Sequence, residues 1–241
     1  TQPALGPLFA EFLPGRPAVE LCPPELCPPE SFRRVCFRQA GRLDWDTLSG
    51  QLQQHEQVLC VVNSRKSAQE IFTRLSGEGN FHLSTLMYPA HRRAKLEEIR
   101  RRLREGLPCR VISTSLIEAG VDVDFPAVFR EEAGLDSILQ AAGRCNREGK
   151  RPVSESIVTL FRGEAAPPPL FQTAIGVGRK VLEQYDDIAS QEAIQAYFHM
   201  FLELNGAKAQ DKYGILSKIH EDPFPFQSVA ERFHMIDSPT R

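Results

Sequence analysis

The run Val58-Leu-Cys-Val-Val62 restricts the fold more than any other feature of the chain. Five apolar residues in succession leave no polar side for water, so a strand built from them must be covered on both faces. Residues 82–87, 110–113, 127–129 and 156–160 also read as strands. Residues 66–75, 91–104 and 136–142 carry helical spacing, with Leu96, Ile99 and Leu103 on one face of the second. Strands that alternate with helices and are apolar throughout predict an α/β fold, a three-layer parallel sheet with helices on both faces. Ligands of such sheets bind at the carboxyl ends of the strands.

The flanks differ in texture. Residues 1–31 hold Pro3, Pro7, Pro14, Pro17, Pro23, Pro24, Pro28 and Pro29, a density that prevents regular helix and interior strand. They read as a linker or as a segment wrapping another domain. Pro167-Pro-Pro169 marks a second change, with helical patterns beyond it over residues 170–185 and 191–204. Three parts are expected: residues 1–31, a core lobe over 32–165 and a helical extension over 166–241. Phe224 and Phe226, set between prolines, read as anchors onto the core.

Composition narrows the partners. The chain has 29 basic and 31 acidic residues, a net charge of −2, so nucleic acid would be bound through a local patch and not a global field. No apolar run is long enough for a bilayer, and residues 1–15 lack the pattern of a signal peptide. A cytoplasmic setting without a membrane partner is expected. The chain begins on Thr and not Met, as a fragment would. Cys22 and Cys27, with Cys36 nearby, have no second close Cys/His pair, so no metal site is expected. Cys60 and Cys109 lie in apolar runs and read as reduced core thiols.

Two segments carry chemistry. On a helix continued past residue 142, Gln140, Gly143, Arg144 and Arg147 share one face. Two forked, permanently charged guanidiniums, an amide and a glycine that permits close approach suit a polyphosphate. In phosphoryl transfer such an arginine offsets charge that grows on the moving group. Spacing alone fits a solvated basic face as well. The second segment, residues 112–123, places hydroxyls just after a strand. There Thr114 is suited to a nucleic-acid phosphate, Gly120 to a tight turn and Asp122 to a ribose hydroxyl. A capped turn around a buried Asp is the plainer alternative. Arg92, Arg93, Arg100, Arg101, Arg102 and Arg104 interleave with Glu97, Glu98 and Glu105, which reads as a salt-bridged face ahead of a DNA contact.

Taken in order, Thr114…Gly120-Val-Asp122…Gln140-x-x-Gly-Arg144-x-x-Arg147 resembles motifs V and VI of superfamily-two helicases. Val61-Val-Asn63-Ser64 ahead of a helix looks like motif IV, and Tyr88-Pro-Ala-His-Arg92 like the segment between motifs IV and V. Residues 113–123, residues 140–147 and the tail Asp211-Lys-Tyr-Gly-Ile-Leu216 are similar to the helicase–nuclease of type I CRISPR systems, the type I-C branch in particular. The resemblance implies a RecA-like second motor lobe. It implies that Arg144 and Arg147 face the γ-phosphate of ATP held on a partner lobe, with Gln140 orienting them or the attacking water. Gly120, Asp122 and Gly143 would approach the nucleotide; Ser64, Thr114 and Arg92 would hold phosphates of a tracked single strand of DNA. ATP with Mg²⁺ is the implied cofactor. A first RecA-like lobe, an HD nuclease domain and an RNA-guided CRISPR surveillance complex are the implied partners.

The rest of such an enzyme is absent from the sequence. No G-x-x-x-x-G-K-[ST] loop, no DExH tetrad for Mg²⁺ and no His-Asp pair occurs. Gly143 to Gly149-Lys150 has one residue too many for the loop and continues into Arg151. Only the arginine half of an ATP site is expected, and negligible ATP hydrolysis by the chain alone. Two rivals stay open: a lobe of another superfamily-two helicase or restriction motor, and a non-catalytic RecA-like module that docks a protein.

Overall fold

The computed structural model describes residues 33–118, 120–219, 221 and 223–233, with the backbone alone for 207–210. Residues 1–31, including Cys22 and Cys27, lie outside the described residues. Six strands form one parallel sheet in the order β1-β6-β5-β2-β4-β3. They are β1 Cys36–Arg42, β2 Gln57–Val61, β3 Asn80–Leu83, β4 Cys109–Ser113, β5 Ala127–Glu131 and β6 Ile157–Arg162. The apolar run at residues 58–62 lies in β2 and just past its end; the strand is paired on both sides, and Val58 to Val62 are fully buried.

Right-handed crossovers distribute the helices. The steps β1 to β2 and β2 to β3 travel one way across the sheet, which sets α1 (Trp45–Gln53) and α2 (Arg65–Phe72) on one face. The later steps travel back, which sets α3 (Pro89–Glu105), a 3-10 turn at Ser115–Ile117 and α4 (Leu135–Ala142) on the other. The first core joins Trp45, Leu48, Leu52, Ala68 and Ile71 to Cys60, Phe129 and Phe161. On the opposite pleats Leu59, Val61, Val111 and Val128 are buried, together with Ile99 of α3 and Ile138 of α4. The fold is therefore the expected three-layer parallel sheet.

Local chemistry explains the ends. The Asp44 carboxylate accepts from the Thr47 amide and starts α1. Pro89 opens α3, and Gly106 closes it at φ 69, where a side chain would be strained. The Gln57 side-chain amide donates to the Arg102 carbonyl in the last turn of α3, at 3.2 Å, and to the Leu107 carbonyl just past its end, at 3.1 Å.

Two elements go beyond the sequence reading. β1 and α1 were not expected, because Cys36–Arg42 is a half-exposed edge strand with a polar composition. β3 begins at Asn80 and ends at Leu83, so the segment to residue 87 leaves the sheet. The compact unit that holds the sheet also continues to Tyr197, whereas the proline run suggests a division after residue 165. Within this unit α5 (Gln172–Gln184) buries Ile175, Val177 and Val181.

The second unit begins at Phe198, inside α6 (Gln191–Gln210). Gly206 interrupts that helix at φ 69 and ψ 161. The Asp211 carboxylate accepts from the amides of Ile215 and Leu216 and starts α7 (Ile215–Ile219); α8 is Phe226–Arg232. Within this unit the rings of Phe224 and Phe226 meet each other at 4.5 Å, and Phe226 is 77% exposed. Among the described residues no helix is long and apolar enough to cross a membrane.

Candidate functional site

The segment from Gln140 to Arg147 is not one helix. Its last α-helical bond runs from the Gly143 amide to the Leu139 carbonyl, at 2.9 Å. The amides of Arg144 and Cys145 turn back to Ala141 and Ala142, and the chain then pairs with the stretch before β5 through Phe125 N to Arg144 O, 2.8 Å. Asn146 takes φ 47, a left-handed value that Asn tolerates. Its amide group secures the turn through the carbonyls of Arg34 and Arg151 and the Arg151 amide. The shared helical face expected for Gln140, Gly143, Arg144 and Arg147 therefore does not exist. The turn gathers the four by another route, around an open concavity of about 500 Å³ that Arg34 and Glu118 also line. Gly143 is right-handed, and a Cβ there would lie 3.3 Å from the Gln140 carbonyl, so its backbone does not demand glycine.

The turn after β4 meets this one. Arg144 is 8% exposed, and its Nε and Nη2 donate to the carbonyls of Ile117 (3.0 Å) and Glu118 (2.5 Å). Burial, and then the charge of Arg147, push its pKa below the ordinary value. Arg147 is more open. Its Nε pairs with Asp122 Oδ1 at 2.8 Å, and its amide donates to Asp124 Oδ1 at 2.8 Å. Gly120, at φ 70, makes the intervening turn, a conformation suited to glycine. Asp122 is largely exposed and already has a guanidinium partner.

A buried polar network, not foreseen from the sequence, lies behind these turns. Arg130 is 2% exposed. Its Nε stands 3.1 Å from Glu118 Oε1, and its Nη1 donates to Asn63 Oδ1 and to the Glu131 carbonyl, both at 2.9 Å. The Asn63 amide donates to Glu131 Oε2 at 2.7 Å. These groups fill the crevice between the carboxyl ends of β2 and β5. Burial raises the carboxyl pKa of Glu118 and of Glu131, opposed for both by Arg130, with the Asn63 amide also opposing at Glu131. Asn63, Arg130, Glu118 and Arg144 thus form one contiguous chain of contacts. The signal for it was a pair of charges, Arg130 and Glu131, directly after the apolar run 127–129: charges inside a doubly covered sheet must be paired.

The candidates for nucleic acid follow three adjacent strands. Ser64, after β2, caps α2 by accepting from the Ser67 amide at 3.0 Å. Thr114, after β4, is 7% exposed, and its Oγ1 has no hydrogen-bond partner among the described residues. Backbone bonds from Val62 to Ser113 (2.9 Å) and from Thr114 to Leu83 (3.4 Å) hold the ends of β2, β4 and β3 together. Arg92, near the start of α3, is half-buried. The salt-bridged face is confined to the second half of α3. There Glu98 pairs with Arg101 and Arg102 at 2.8 Å each, which pulls its carboxyl pKa down to about 2, and Arg100 Nε donates to the Asp122 carbonyl. Among the described residues no group of three or more His, Cys, Asp or Glu is placed to hold a metal ion.

Comparison with known proteins bears on this arrangement. A family model described as CRISPR-associated nuclease/helicase Cas3, C-terminal, matches residues 54–150. A CRISPR-associated nuclease/helicase Cas3 of Haloferax volcanii is 63% identical over 41 residues, 17% of this chain and 4% of that protein. The crystal structure of T. fusca Cas3 with ATP superposes with a TM-score of 0.57 at 13% identity, covering 92% of this chain and 28% of that one. A chain of a CRISPR RNA-guided surveillance complex, pre-nicking, gives 0.55 at 14% identity, covering 93% and 29%. The chain thus spans less than a third of the length of each of these proteins.

Proposed function

Because residues 54–150 match the model of the Cas3 C-terminal region and the chain shares the fold of Cas3 structures, we propose that it is the second motor lobe of an ATP-driven translocase on single-stranded DNA in type I CRISPR interference. The observation that carries this reading is the convergence of Gln140, Arg144 and Arg147 on one concavity, with Arg147 latched to Asp122. Two guanidiniums and an amide offer donors for a polyphosphate, whereas the sequence has no G-x-x-x-x-G-K-[ST] loop and, among the described residues, no group of three or more His, Cys, Asp or Glu is placed to hold Mg²⁺. The donors fit one side of a bound nucleotide, and the other side belongs to a first lobe.

ATP with Mg²⁺ on that first lobe supplies the transferable phosphoryl group. Arg147, the more exposed arginine, is the finger that faces the γ-phosphate, and Gln140 orients it or the attacking water. Arg144 lines the same concavity while holding the carbonyls of Ile117 and Glu118, which fixes the turn bearing Gly120 and Asp122. Asp122 keeps Arg147 extended, ready to be shared with a nucleotide ribose. Ser64, Thr114 and Arg92 contact the DNA backbone along the ends of β2, β4 and β3. The HD nuclease domain of the longer protein and an RNA-guided surveillance complex are the proposed partners, on the family resemblance.

The test joins this chain to its first lobe and measures DNA-stimulated ATP hydrolysis. Arg147→Ala is expected to lower kcat by about 10³-fold or more. Full activity in that variant would overturn the finger assignment. The 241-residue chain alone is expected to hydrolyse ATP negligibly, and measurable turnover by it would overturn the half-site reading.

A further inference from the structure

The segment between β3 and the middle of α3 differs from the rest of that helix. Residues 84–96 contain His91, Arg92, Arg93 and Lys95 and no acidic residue. The side chains of Arg92 and Arg93 make no hydrogen bond or ion pair among the described residues, unlike Arg101 and Arg102 further along. Two apolar side chains stand open beside these cations: Leu86 is 75% exposed and Tyr88 is 66% exposed. Tyr88 is the residue before Pro89, extended at φ −67 and ψ 151, and it makes no capping bond. Its ring lies beside the exposed ring of His91, tilted by 38° with centroids 5.5 Å apart. The segment follows Leu83, whose carbonyl accepts from the amide of Thr114, so it borders the strand ends that carry the candidate backbone contacts.

An open aromatic ring flanked by unpaired cations is the combination that binds single strands, the ring stacking on a base while the cations meet the phosphates. We propose that Tyr88 is a base-stacking residue for single-stranded DNA, with Arg92 and Arg93 gripping the backbone on either side of the stacked nucleotide. This rests on reading the lobe as a DNA-tracking motor and extends it, because the candidates at Ser64, Thr114 and Arg92 read phosphate alone. Leu86 forms an apolar flank to the same base.

Binding of a dye-labelled thymidylate single strand to the 241-residue chain tests the assignment, in parallel with the same strand bearing abasic sites throughout. Tyr88→Ala is expected to weaken binding of the intact strand about tenfold, and Tyr88→Phe to retain it. The abasic strand should bind the parent chain as weakly as the intact strand binds Tyr88→Ala, and should not distinguish the two proteins. Arg93→Ala should lower the slope of log affinity against log salt by about 0.7, which Tyr88→Ala leaves unchanged. Binding that ignores both the Tyr88→Ala change and the loss of bases overturns the stacking assignment and leaves the DNA-tracking reading standing. No binding of any single strand overturns both. Tighter, Tyr88-dependent binding of a uridylate strand overturns the commitment to DNA.

Discussion

Arg130 occupies a place in β5 where its neighbours Val128 and Phe129 are aliphatic or aromatic and buried. A guanidinium there is tolerable only because Glu118, Asn63 and backbone carbonyls surround it. Breaking such a pair from one side is costlier than replacing it whole, because the remaining charge is left without a partner. Glu118→Ala is therefore expected to cost about 3–5 kcal/mol in denaturant unfolding, and Glu118→Leu with Arg130→Met considerably less. Equal losses in the two proteins would show that Arg130 is satisfied without Glu118. Cys60, Cys109 and Cys145 carry no such tension. All are buried free thiols, and burial raises their pKa, to about 12 for the last two. They behave as small apolar groups.

At the level of elements, α5 contains its own control. A Cβ on Gly178 would stand 2.8 Å from the Ala133 carbonyl, so the helix can approach the turn between β5 and α4 only through a glycine. A Cβ on Gly176, on the same helix, would meet nothing within 4 Å among the described residues. Gly176→Ala is expected to stabilise the chain by about 0.5–1 kcal/mol through helix propensity, and Gly178→Ala to destabilise it by about 1–3 kcal/mol through overpacking. Thermal or chemical unfolding of the two variants decides it, and a shift of the same sign in both would remove the close-approach argument. Spacing alone makes the chemistry-bearing segment look like a longer helix than it is. Gln140, Arg144 and Arg147 have helical spacing, but Gly143 and Asn146 are both residues that end helices, and Asn146 has three backbone partners that no helix would leave it. The residues were legible in the sequence, and the backbone that gathers them was not. β1 escaped notice for a related reason: an edge strand needs only one covered face, so Arg38, Gln39 and Arg42 hide its period.

For the whole molecule, the parallel sheet and its helical layers followed from apolar runs that admit no other burial. What remained hidden were contacts between distant segments, such as Asn63 with Arg130 or Glu118 with Arg144, which leave no period in the sequence. Two histidines make stability depend on pH. His55 lies edge-on to Phe129 and His82 stacks on Phe72, and both have a pKa lowered from 6.5, by burial first in each case. The unfolded chain thus binds protons more readily at these sites, and the stability they confer is present above pH 6.5 and lost as pH falls through their lower folded values. The thermal midpoint of a His55→Gln, His82→Phe double variant is expected to fall less on acidification below pH 6.5 than that of the parent. Comparing slopes isolates the imidazoles from Glu118 and Glu131, whose raised pKa values act in the opposite direction. Identical slopes would show that neither histidine contributes.

The two outer strands have a consequence for the lobe as a separable piece. β3 is only four residues long, and β1 loses register with β6 between Gln39 and Arg42, around Gly41 at φ 69. A foreign strand seeking to extend the sheet would find a short ladder on one rim and, on the other, a ladder that breaks beside two arginines. Sheet-to-sheet polymerisation is thereby discouraged at both rims.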